Sequence, residues 1–233
     1  MPDHLDLALV PGLNNTSAVF DRLRPLLGAQ VRAHALDNPP LSTVEAIAQA
    51  HLATLPERFW LAGFSFGGYV AMALLEAAPQ RVQGIALLCS APFADPPQAA
   101  ARRQAGIDAA LAGRHLAMVS EQAAQAFHPD SLNDPALMRE RMDMVRAYGA
   151  ERYVAHVRAT IARPDRHHLL IGDRPTLVVG GSHDSLFTPD ALAAWAGGIP
   201  GARHVTVAGA GHLVPMEQPA ALSQALRTWM HAA

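Results

Sequence analysis

The sequence has one cysteine and few charged side chains, and both shortages exclude whole classes of protein. Cys89 is the only cysteine among 233 residues, so a disulfide framework and a multi-cysteine zinc site are excluded. Charged residues make up 16% of the chain, and its formal net charge at pH 7 is −2. This balance gives no basic surface for nucleic acid or for an anionic membrane, so neither is an expected partner.

Membrane-spanning runs, targeting signals and common metal or nucleotide motifs are missing as well. No apolar stretch is long enough to span a bilayer, and the first residues lack the basic start and apolar run of a signal peptide. We therefore expect a cytoplasmic protein. Neither His-Glu-x-x-His nor a Walker loop occurs, and His167, His168 and His183 have no acidic or cysteine partner at ligand spacing, so no metal site is predicted.

The most informative stretch that is present is Gly63-Phe64-Ser65-Phe66-Gly67. The apolar run before it, residues 59–62, predicts a buried strand, and the Ala-, Leu- and Met-rich run after it, residues 68–78, predicts a helix. A serine in such a tight turn has a strained backbone that exposes its hydroxyl, and an amide at the helix start favours negative charge. Ser65 is therefore a candidate nucleophile; the alternative is a serine that only caps the helix.

An acid and a histidine follow Ser65 at similar places in the chain. Residues 175–181 and 202–208 predict two further buried strands; Asp184 lies in the loop after the first, and His212 lies in the loop after the second. In an open parallel sheet, residues that act on a ligand lie beyond the carboxyl ends of the strands. The order serine, aspartate, histidine is that of a catalytic triad on such a sheet.

Two other aspartates compete for the role of the acid. Asp173 precedes its strand and is expected at the opposite, amino edge of the sheet. Asp95 follows the predicted strand Val82–Leu88 and lies among prolines, where we interpret it as a turn residue. Only Asp184 is expected to approach His212.

Strand and helix patterns alternate along most of the chain, which predicts an α/β fold. The remaining predicted strands are residues 5–10, 31–36 and 82–88, and the remaining predicted helices include residues 17–27, 43–55 and 220–230. Ser42 and Glu45 form a capping box before the second of these helices. Only helical patterns appear over residues 91–174. We predict a mostly parallel sheet of about six strands with helices on both faces, built from residues 1–90 and 175–233, and a helical cap inserted at 91–174.

Five segments resemble the α/β-hydrolase superfamily, and the resemblance spans nearly the whole chain. They are Leu9-Val10-Pro11-Gly12-Leu13, the elbow from Gly63 to Gly68, Pro79-Gln80-Arg81-Val82, Gly180-Gly181-Ser182-His183-Asp184 and Gly209-Ala210-Gly211-His212. The resemblance implies Ser65, Asp184 and His212 as catalytic residues, the backbone amides of Leu13 and Phe66 as an oxyanion hole, and no metal or organic cofactor. The family usually has a histidine before the glycine of the first segment, whereas this chain has Pro11.

The resemblance and the predicted cap together favour one class of substrate. Leu13, Asn14, Phe66 and Leu213 are the predicted substrate-binding residues, although Asn14 and Asn15 are also typical turn formers. The cap is rich in methionine and aromatic residues, and few basic residues lie near the motifs in the sequence, so a largely apolar pocket is expected. This favours a hydrolase that cleaves carboxylic esters of small to medium apolar substrates.

Other functions on the same three residues stay open. They are carbon–carbon bond hydrolysis, thioester or lactone hydrolysis, acyl transfer and perhydrolysis. A non-catalytic ligand-binding relative is disfavoured, because a receptor has no need of the complete triad. The sequence does not predict which small molecule is the natural substrate, or the oligomeric state.

Overall fold

A computed structural model describes residues 4–232, and at its centre lies a six-stranded sheet in which all neighbouring strands are parallel. The strands are ordered β2-β1-β3-β4-β5-β6 across the sheet. Their bounds are β1 Leu5–Val10, β2 Val31–Ala35, β3 Phe59–Phe64, β4 Val82–Leu88, β5 Thr176–Gly181 and β6 Arg203–Val207. The prediction of an α/β fold with about six mostly parallel strands is confirmed.

Helices cover both faces of the sheet, because successive strand residues point to opposite faces and both sets are apolar. Leu7 and Leu9 of β1 pack in the same cluster as Trp229 of the last helix, whereas Ala8 and Val10 pack on the opposite face. The α-helices are α1 Val44–Leu52, α2 Phe66–Ala77, α3 Ala100–Leu111, α4 His115–Glu121, α5 Ala123–Ala126, α6 Pro135–Tyr148, α7 Ala150–Ala162, α8 Pro189–Ala196, α9 Val214–Glu217 and α10 Pro219–His231.

The strand order creates one switch point at the carboxyl edge of the sheet. From β1 the chain crosses to β2 at the sheet edge, and it then returns to the other side of β1 to form β3. The loops after β1 and β3 therefore leave in different directions. Ligands of open parallel sheets bind at such points, so these two loops border the expected binding site.

Between β4 and β5 the described chain is helical, from the short 3-10 helix Pro97–Ala99 to the 3-10 helix His167–Leu170. In this segment α3 packs against α7, and α7 also contacts α1 and α2 of the core. We interpret this segment as the predicted cap, which packs directly on the core through α7. Over residues 4–232, no helix has both the length and the apolar character needed to cross a membrane.

The single helix predicted at residues 17–27 is wrong. Two short 3-10 helices, Ser17–Phe20 and Arg24–Leu26, occupy this stretch. Pro25 has no amide hydrogen to donate to the carbonyl four residues earlier, so an α-helical ladder cannot continue there. Bonds between residues three apart, such as that from the Leu27 amide to the Arg24 carbonyl, take its place.

The predicted capping box before α1 is also wrong. Thr43, and not Ser42, is the N-cap, and its Oγ1 accepts a hydrogen bond from the Ala46 amide at 3.2 Å. Glu45 instead accepts a hydrogen bond from Arg166 at 2.5 Å. A long-range ion pair has therefore taken the carboxylate that the local pattern assigned to the cap.

The turn that carries Ser65 leaves no room for a side chain at Gly67, which gives a stability prediction. A Cβ there would overlap the carbonyl oxygen of Val10, and backbone cannot move aside as a flexible side chain can. We expect Gly67→Ala to lower the free energy of unfolding by about 3 kcal/mol in urea denaturation. Gly197 is exposed with a φ of −63°, so Gly197→Ala should change it by less than about 1 kcal/mol. Equal losses would contradict the prediction.

Candidate active site

Ser65 occupies a strained turn between β3 and α2 that the surrounding backbone holds in place. Its φ is +51°, in the left-handed region that non-glycine residues rarely adopt. The Ser65 amide donates to the Leu88 carbonyl at 2.8 Å, and Ser90 Oγ donates to the Ser65 carbonyl at 2.8 Å. The Ser65 hydroxyl makes no capping hydrogen bond to α2, so the helix-capping alternative does not describe this serine.

The three predicted side chains come together at the carboxyl edge of the sheet. His212 Nε2 lies 2.9 Å from Ser65 Oγ, and His212 Nδ1 lies 2.8 Å from Asp184 Oδ2. Because an ionised carboxylate can only accept, Nδ1 carries the hydrogen, and Nε2 of the neutral ring is then the acceptor that faces the serine hydroxyl. Asp184 and His212 are 2% and 6% exposed, so bulk water competes little for these bonds.

Asp184 is ionised in spite of its burial. Burial favours the neutral acid, but the positive charge that the His212 ring carries when it is protonated, and the hydrogen bond from that ring, act in the opposite direction. The amides of Leu186 and Phe187 also donate to Asp184 Oδ1, at 2.8 and 3.0 Å. Together these contacts hold the pKa of Asp184 below its usual value. An anion therefore orients the imidazole at neutral pH.

The backbone amides of Leu13 and Phe66, the predicted oxyanion donors, are available to a ligand. Throughout the described residues, neither amide donates a hydrogen bond to a protein acceptor. Phe66 is the first residue of α2, so its amide lies at the positive end of the helix dipole. Its ring is buried and stacks on that of His156, with ring centroids 4.7 Å apart. Phe66 can therefore offer a ligand its amide but little of its side chain.

A buried asparagine–histidine pair supports the loop after β1 from the core side. Asn38 Nδ2 donates to the Pro11 carbonyl at 2.9 Å, and His51 Nε2 donates to Asn38 Oδ1 at 2.8 Å. Burial lowers the pKa of His51 to about 4, so its ring is neutral at neutral pH. Sequence reasoning missed this pair. Its one local signal is that Asn38 follows β2 at the carboxyl edge of the sheet.

Cap side chains hold the same loop from the other side. His115 Nε2 donates to Asn14 Oδ1 at 2.7 Å, and Arg141 Nη1 donates to the Asn14 carbonyl and to Asn15 Oδ1, each at 2.7 Å. Asn15 Nδ2 in turn donates to the Leu13 carbonyl at 2.7 Å. The asparagine side chains therefore hold the loop together, and these contacts do not support the expectation that Asn14 binds substrate.

Leu213 is turned into the core and away from a ligand. Its side chain is 2% exposed and belongs to the apolar cluster on one face of the sheet. The amides of His212 and Leu213 both donate to the Ala126 carbonyl of the cap, at 2.8 and 3.3 Å. These bonds fix the direction of the chain after His212. The predicted role of Leu213 in substrate binding is therefore not supported.

Glu217 is a second residue that sequence reasoning missed. Its Oε1 accepts from the Gly211 amide at 2.9 Å, and its Oε2 accepts from the His128 amide at 2.7 Å and from Ser131 Oγ at 2.8 Å. One carboxylate thus ties the loop that carries His212 to the cap segment after α5. Its position on α9, directly after that loop, is the only signal in the sequence.

Cys89 lies beneath the array, directly after β4. Its sulfur and the ligand atoms of Asp184 and His212 lie within 4.8 Å of one another, the one such trio in the part of the chain that the structure describes. Burial raises the pKa of Cys89 well above its usual value, and the charge of Asp184 raises it further. The thiol therefore stays protonated and does not compete with Ser65 as a nucleophile.

Asp95, the competing acid, belongs to a buried ion cluster. Its Oδ1 accepts from Arg163 Nη1 at 2.9 Å and from Arg103 Nη2 at 3.1 Å, and the side chains of Asp95 and Arg163 are each 6% exposed. The interpretation of Asp95 as a turn residue is therefore incomplete, because its carboxylate neutralises a buried arginine. The acid that contacts His212 is Asp184.

Asp95→Asn should destabilise the protein, because it leaves Arg163 buried without an anion. We expect the free energy of unfolding to fall by about 3 kcal/mol at neutral pH. Burial alone would raise the pKa of Asp95, but the two arginines lower it below its usual value. The contribution is therefore complete above about pH 4 and is lost as the pH falls further.

Urea denaturation at a series of pH values checks this prediction. The difference between the parent and Asp95→Asn should shrink below about pH 4, and a constant difference would contradict it. Asp173→Asn is the matched control, because Asp173 is exposed, and it should change the free energy of unfolding by less than about 0.5 kcal/mol.

Solved structures with the same arrangement of strands and helices are found among hydrolases. An esterase from Thermogutta terrifontis, solved with malate bound, has a TM-score of 0.89 and 26% identity, and the match covers 98% of this chain and 90% of that one. A hydrolase from Pseudomonas aeruginosa has a TM-score of 0.86 and 26% identity over 97% and 90% of the two chains. An enol-lactonase from Burkholderia xenovorans shares the fold, with a TM-score of 0.87, 21% identity and coverage of 98% and 92%.

The matches to curated relatives cover smaller parts of those proteins than the matches to solved structures do. The dihydrolipoyllysine-residue acetyltransferase component of an acetoin cleaving system from Pseudomonas putida is 29% identical over an alignment of 232 positions, gaps included, that covers 88% of this chain and 58% of that protein. A pimeloyl-[acyl-carrier protein] methyl ester esterase from Edwardsiella ictaluri is 36% identical over an alignment of 96 positions, gaps included, that covers 37% of each chain. This chain thus spans less than two thirds of either relative. The family model for the alpha/beta hydrolase fold matches residues 7–219, and the chain therefore belongs to the α/β-hydrolase family.

Proposed function

We propose that this chain is a serine hydrolase that cleaves carboxylic esters of small to medium apolar substrates. The observation that carries the proposal is the hydrogen-bonded array from Ser65 Oγ through the His212 ring to Asp184, with separations of 2.9 and 2.8 Å. A serine hydroxyl is a weak nucleophile unless a neighbouring base takes its proton, and His212 Nε2 lies within reach to do so.

The reaction runs in two halves. Ser65 Oγ attacks the ester carbonyl while His212 takes the hydroxyl proton, and Asp184 stabilises the imidazolium that forms. The amides of Leu13 and Phe66 bind the oxyanion, at about 3 kcal/mol of transition-state stabilisation for each donor. His212 then protonates the leaving alcohol. Water attacks the acyl-enzyme in the same way, with His212 as the base, and releases the acid and Ser65.

Apolar groups around the array support this chemistry. The Phe187 ring stacks on the imidazole of His212 with centroids 5.8 Å apart, and the Phe64 ring lies 5.3 Å from it. On the other side, Leu13 packs with Met118 against the apolar cluster of the cap. Such surroundings keep water away from the base and strengthen the electrostatic stabilisation of the oxyanion.

The relatives support ester hydrolysis without selecting the substrate. The Thermogutta esterase shares 26% identity over nearly the whole chain, whereas the match to the pimeloyl-[acyl-carrier protein] methyl ester esterase covers 37% of it. Carbon–carbon bond, thioester and lactone hydrolysis, acyl transfer and perhydrolysis use the same three groups and remain alternatives. A purely ligand-binding role is disfavoured, because it requires neither the array nor two unpaired amides.

Ser65→Ala tests the nucleophile. We expect hydrolysis of p-nitrophenyl esters to fall by about 10⁴ or more and covalent labelling by a fluorophosphonate to disappear, because Ser65 is the one hydroxyl among residues 4–232 that hydrogen-bonds to the His212 ring. The matched control is Ser185→Ala, since Ser185 is an exposed serine next to Asp184, and it should retain both properties. Undiminished labelling of folded Ser65→Ala would show that another residue is the nucleophile.

Asp184→Asn tests the acid. The amide would present a donor to His212 and favour the wrong tautomer, so we expect turnover to fall by about 10⁴ while the fold is kept. Asp173→Asn and Asp95→Asn should each cost less than about tenfold, because neither carboxylate contacts His212. Steady-state kinetics on the folded variants measures the loss of turnover for each of the three substitutions. A large loss at Asp95 with little at Asp184 would overturn the assignment of the acid.

A further inference from the structure

Three arginines in residues 4–232 are buried, and one of them has no carboxylate partner. That residue is Arg141 of α6, which is 8% exposed and forms no salt bridge with any described residue. A guanidinium taken out of water without an anion is costly in free energy. The other two are paired: Arg163 with Asp95, and Arg166 with Glu45 and Glu76.

The guanidinium of Arg141 uses one of its three nitrogens and leaves one edge unused. Nη1 donates to the Asn14 carbonyl and to Asn15 Oδ1, which are both neutral acceptors. Nε and Nη2 donate to no acceptor within the described chain. Both keep some solvent-accessible surface, unlike Nε of Arg81, which is buried without a partner. The Nε–Nη2 edge presents two parallel N–H donors, the geometry that matches the two oxygens of a carboxylate.

No nearby group cancels the charge of Arg141. The acidic residues that precede and follow it on α6 pair elsewhere, Glu140 with Arg22 and Asp143 with Arg146. Burial lowers the pKa of Arg141 to about 10, so it is still cationic at neutral pH. Burial, and then the charge of Arg141, lower the pKa of the neighbouring His115, which therefore stays neutral and adds no competing charge.

Arg141 also contacts the loop that carries one of the two proposed oxyanion donors. Its Nη1 holds Asn14 and Asn15, the two residues that follow the oxyanion donor Leu13. Two residues of chain and one hydrogen bond separate Nη1 from the Leu13 amide, which limits their distance to about 10 Å. Because the guanidinium is small, planar and rigid, Nε and Nη2 lie close to Nη1 and therefore near the same loop, with their N–H groups directed away from the Nη1 contacts. A substrate bound at Leu13 can therefore reach it with a group several bonds from the scissile carbonyl.

We propose that the free edge of Arg141 binds a carboxylate of the substrate, so that the preferred ester carries a free acid at the end of a short apolar chain. This inference rests on the proposed ester hydrolysis and narrows its substrate class to acid-bearing esters, such as half-esters of linear dicarboxylic acids. It also differs from the expectation of a largely apolar pocket that favours a hydrophobic acyl or alcohol group, because it adds one charged anchor. That expectation counted basic residues near the motifs in the sequence, whereas α6 brings Arg141 to the loop from far along the chain.

Kinetics with paired esters tests the proposal. Monomethyl and dimethyl esters of one dicarboxylic acid differ mainly in the charge at the far end, and a chain-length series locates the distance that Arg141 spans. Acetate esters of hydroxy acids, paired with their methyl esters, place the charge on the alcohol side. We expect the unmodified protein to prefer the charged member of at least one pair by about tenfold or more in kcat/KM. Equal rates in both series would overturn the proposal.

Arg141→Gln separates recognition of a carboxylate from support of the loop. Loss of the charged hydrogen bonds should lower kcat/KM for the charged ester by about 30-fold more than for its neutral partner. Equal losses for the two would show that Arg141 only supports the loop. Arg141→Lys keeps the positive charge but loses the pair of parallel N–H donors, so its preference for the charged ester should lie between those of the parent and of Arg141→Gln. Arg139→Gln, an exposed position on the same helix, should leave the preference unchanged.

Binding to an inactive variant distinguishes failure of this inference from failure of the proposed function. In the Ser65→Ala protein, calorimetric titration with the preferred half-ester measures affinity without turnover. Adding Arg141→Gln should weaken that affinity by about tenfold or more. Unchanged affinity, together with Ser65-dependent hydrolysis in the parent, would overturn the role of Arg141 and leave the esterase proposal standing. Weakened affinity without any hydrolysis by the parent would overturn the esterase proposal and leave the role of Arg141 in binding a carboxylate standing.

Discussion

A loop can offer its amide to an oxyanion only when other contacts hold it, and this constraint explains the polar groups around residues 11–15. The carbonyls next to the Leu13 amide are all engaged: Pro11 by Asn38, Leu13 by Asn15, and Asn14 by Arg141. Each bond fixes the backbone without using the amide itself. The Leu13 amide is left unpaired in a rigid setting, and preorganised donors of this kind stabilise a developing charge without reorganisation.

The helical segment between β4 and β5 takes part in both halves of the candidate site. His115 and Arg141 hold the loop after β1, while the Ala126 carbonyl and the groups bound by Glu217 hold the loop that carries His212. The segment therefore positions both the candidate base and one proposed oxyanion donor. A change in its packing should alter reactivity as well as substrate choice, which distinguishes it from a lid that only closes over a finished site.

The sequence was sufficient for features that depend on local signals. Strand patterns predicted all six strands. The four central strands are largely buried, which leaves little choice of residue type, whereas the edge strands β2 and β6 are only partly buried. The elbow was also predictable, because glycine is required where a Cβ at Gly67 would strike the backbone. Ser65, His212 and Asp184 followed from chain order and strand ends, and the structure brings them together.

What sequence reasoning missed depends on contacts between distant segments. Asn14 and Arg141 are 127 positions apart, and Glu45 and Arg166 are 121 apart. No local pattern records such pairs. The failed capping box has a local cause as well, since Thr43 as the N-cap places Glu45 at the second helical position, where its carboxylate is left to pair with Arg166. A count of basic residues close to the motifs in the sequence misses Arg141, because α6 brings it to the loop from far along the chain.

The buried arginines of the cap show how burial separates structural charges from functional ones. Arg163 and Arg166 have carboxylate partners, and removing either partner would leave a charge that the interior cannot solvate. Arg141 has only neutral acceptors, and two of its three guanidinium nitrogens have no acceptor within the described chain, near the loop that we propose binds the oxyanion. A fold that needed Arg141 only to hold two asparagines would be served by a neutral donor at lower desolvation cost. The positive charge is explained if an anion arrives with the substrate, since the carboxylate then completes an ion pair that the folded protein lacks on its own.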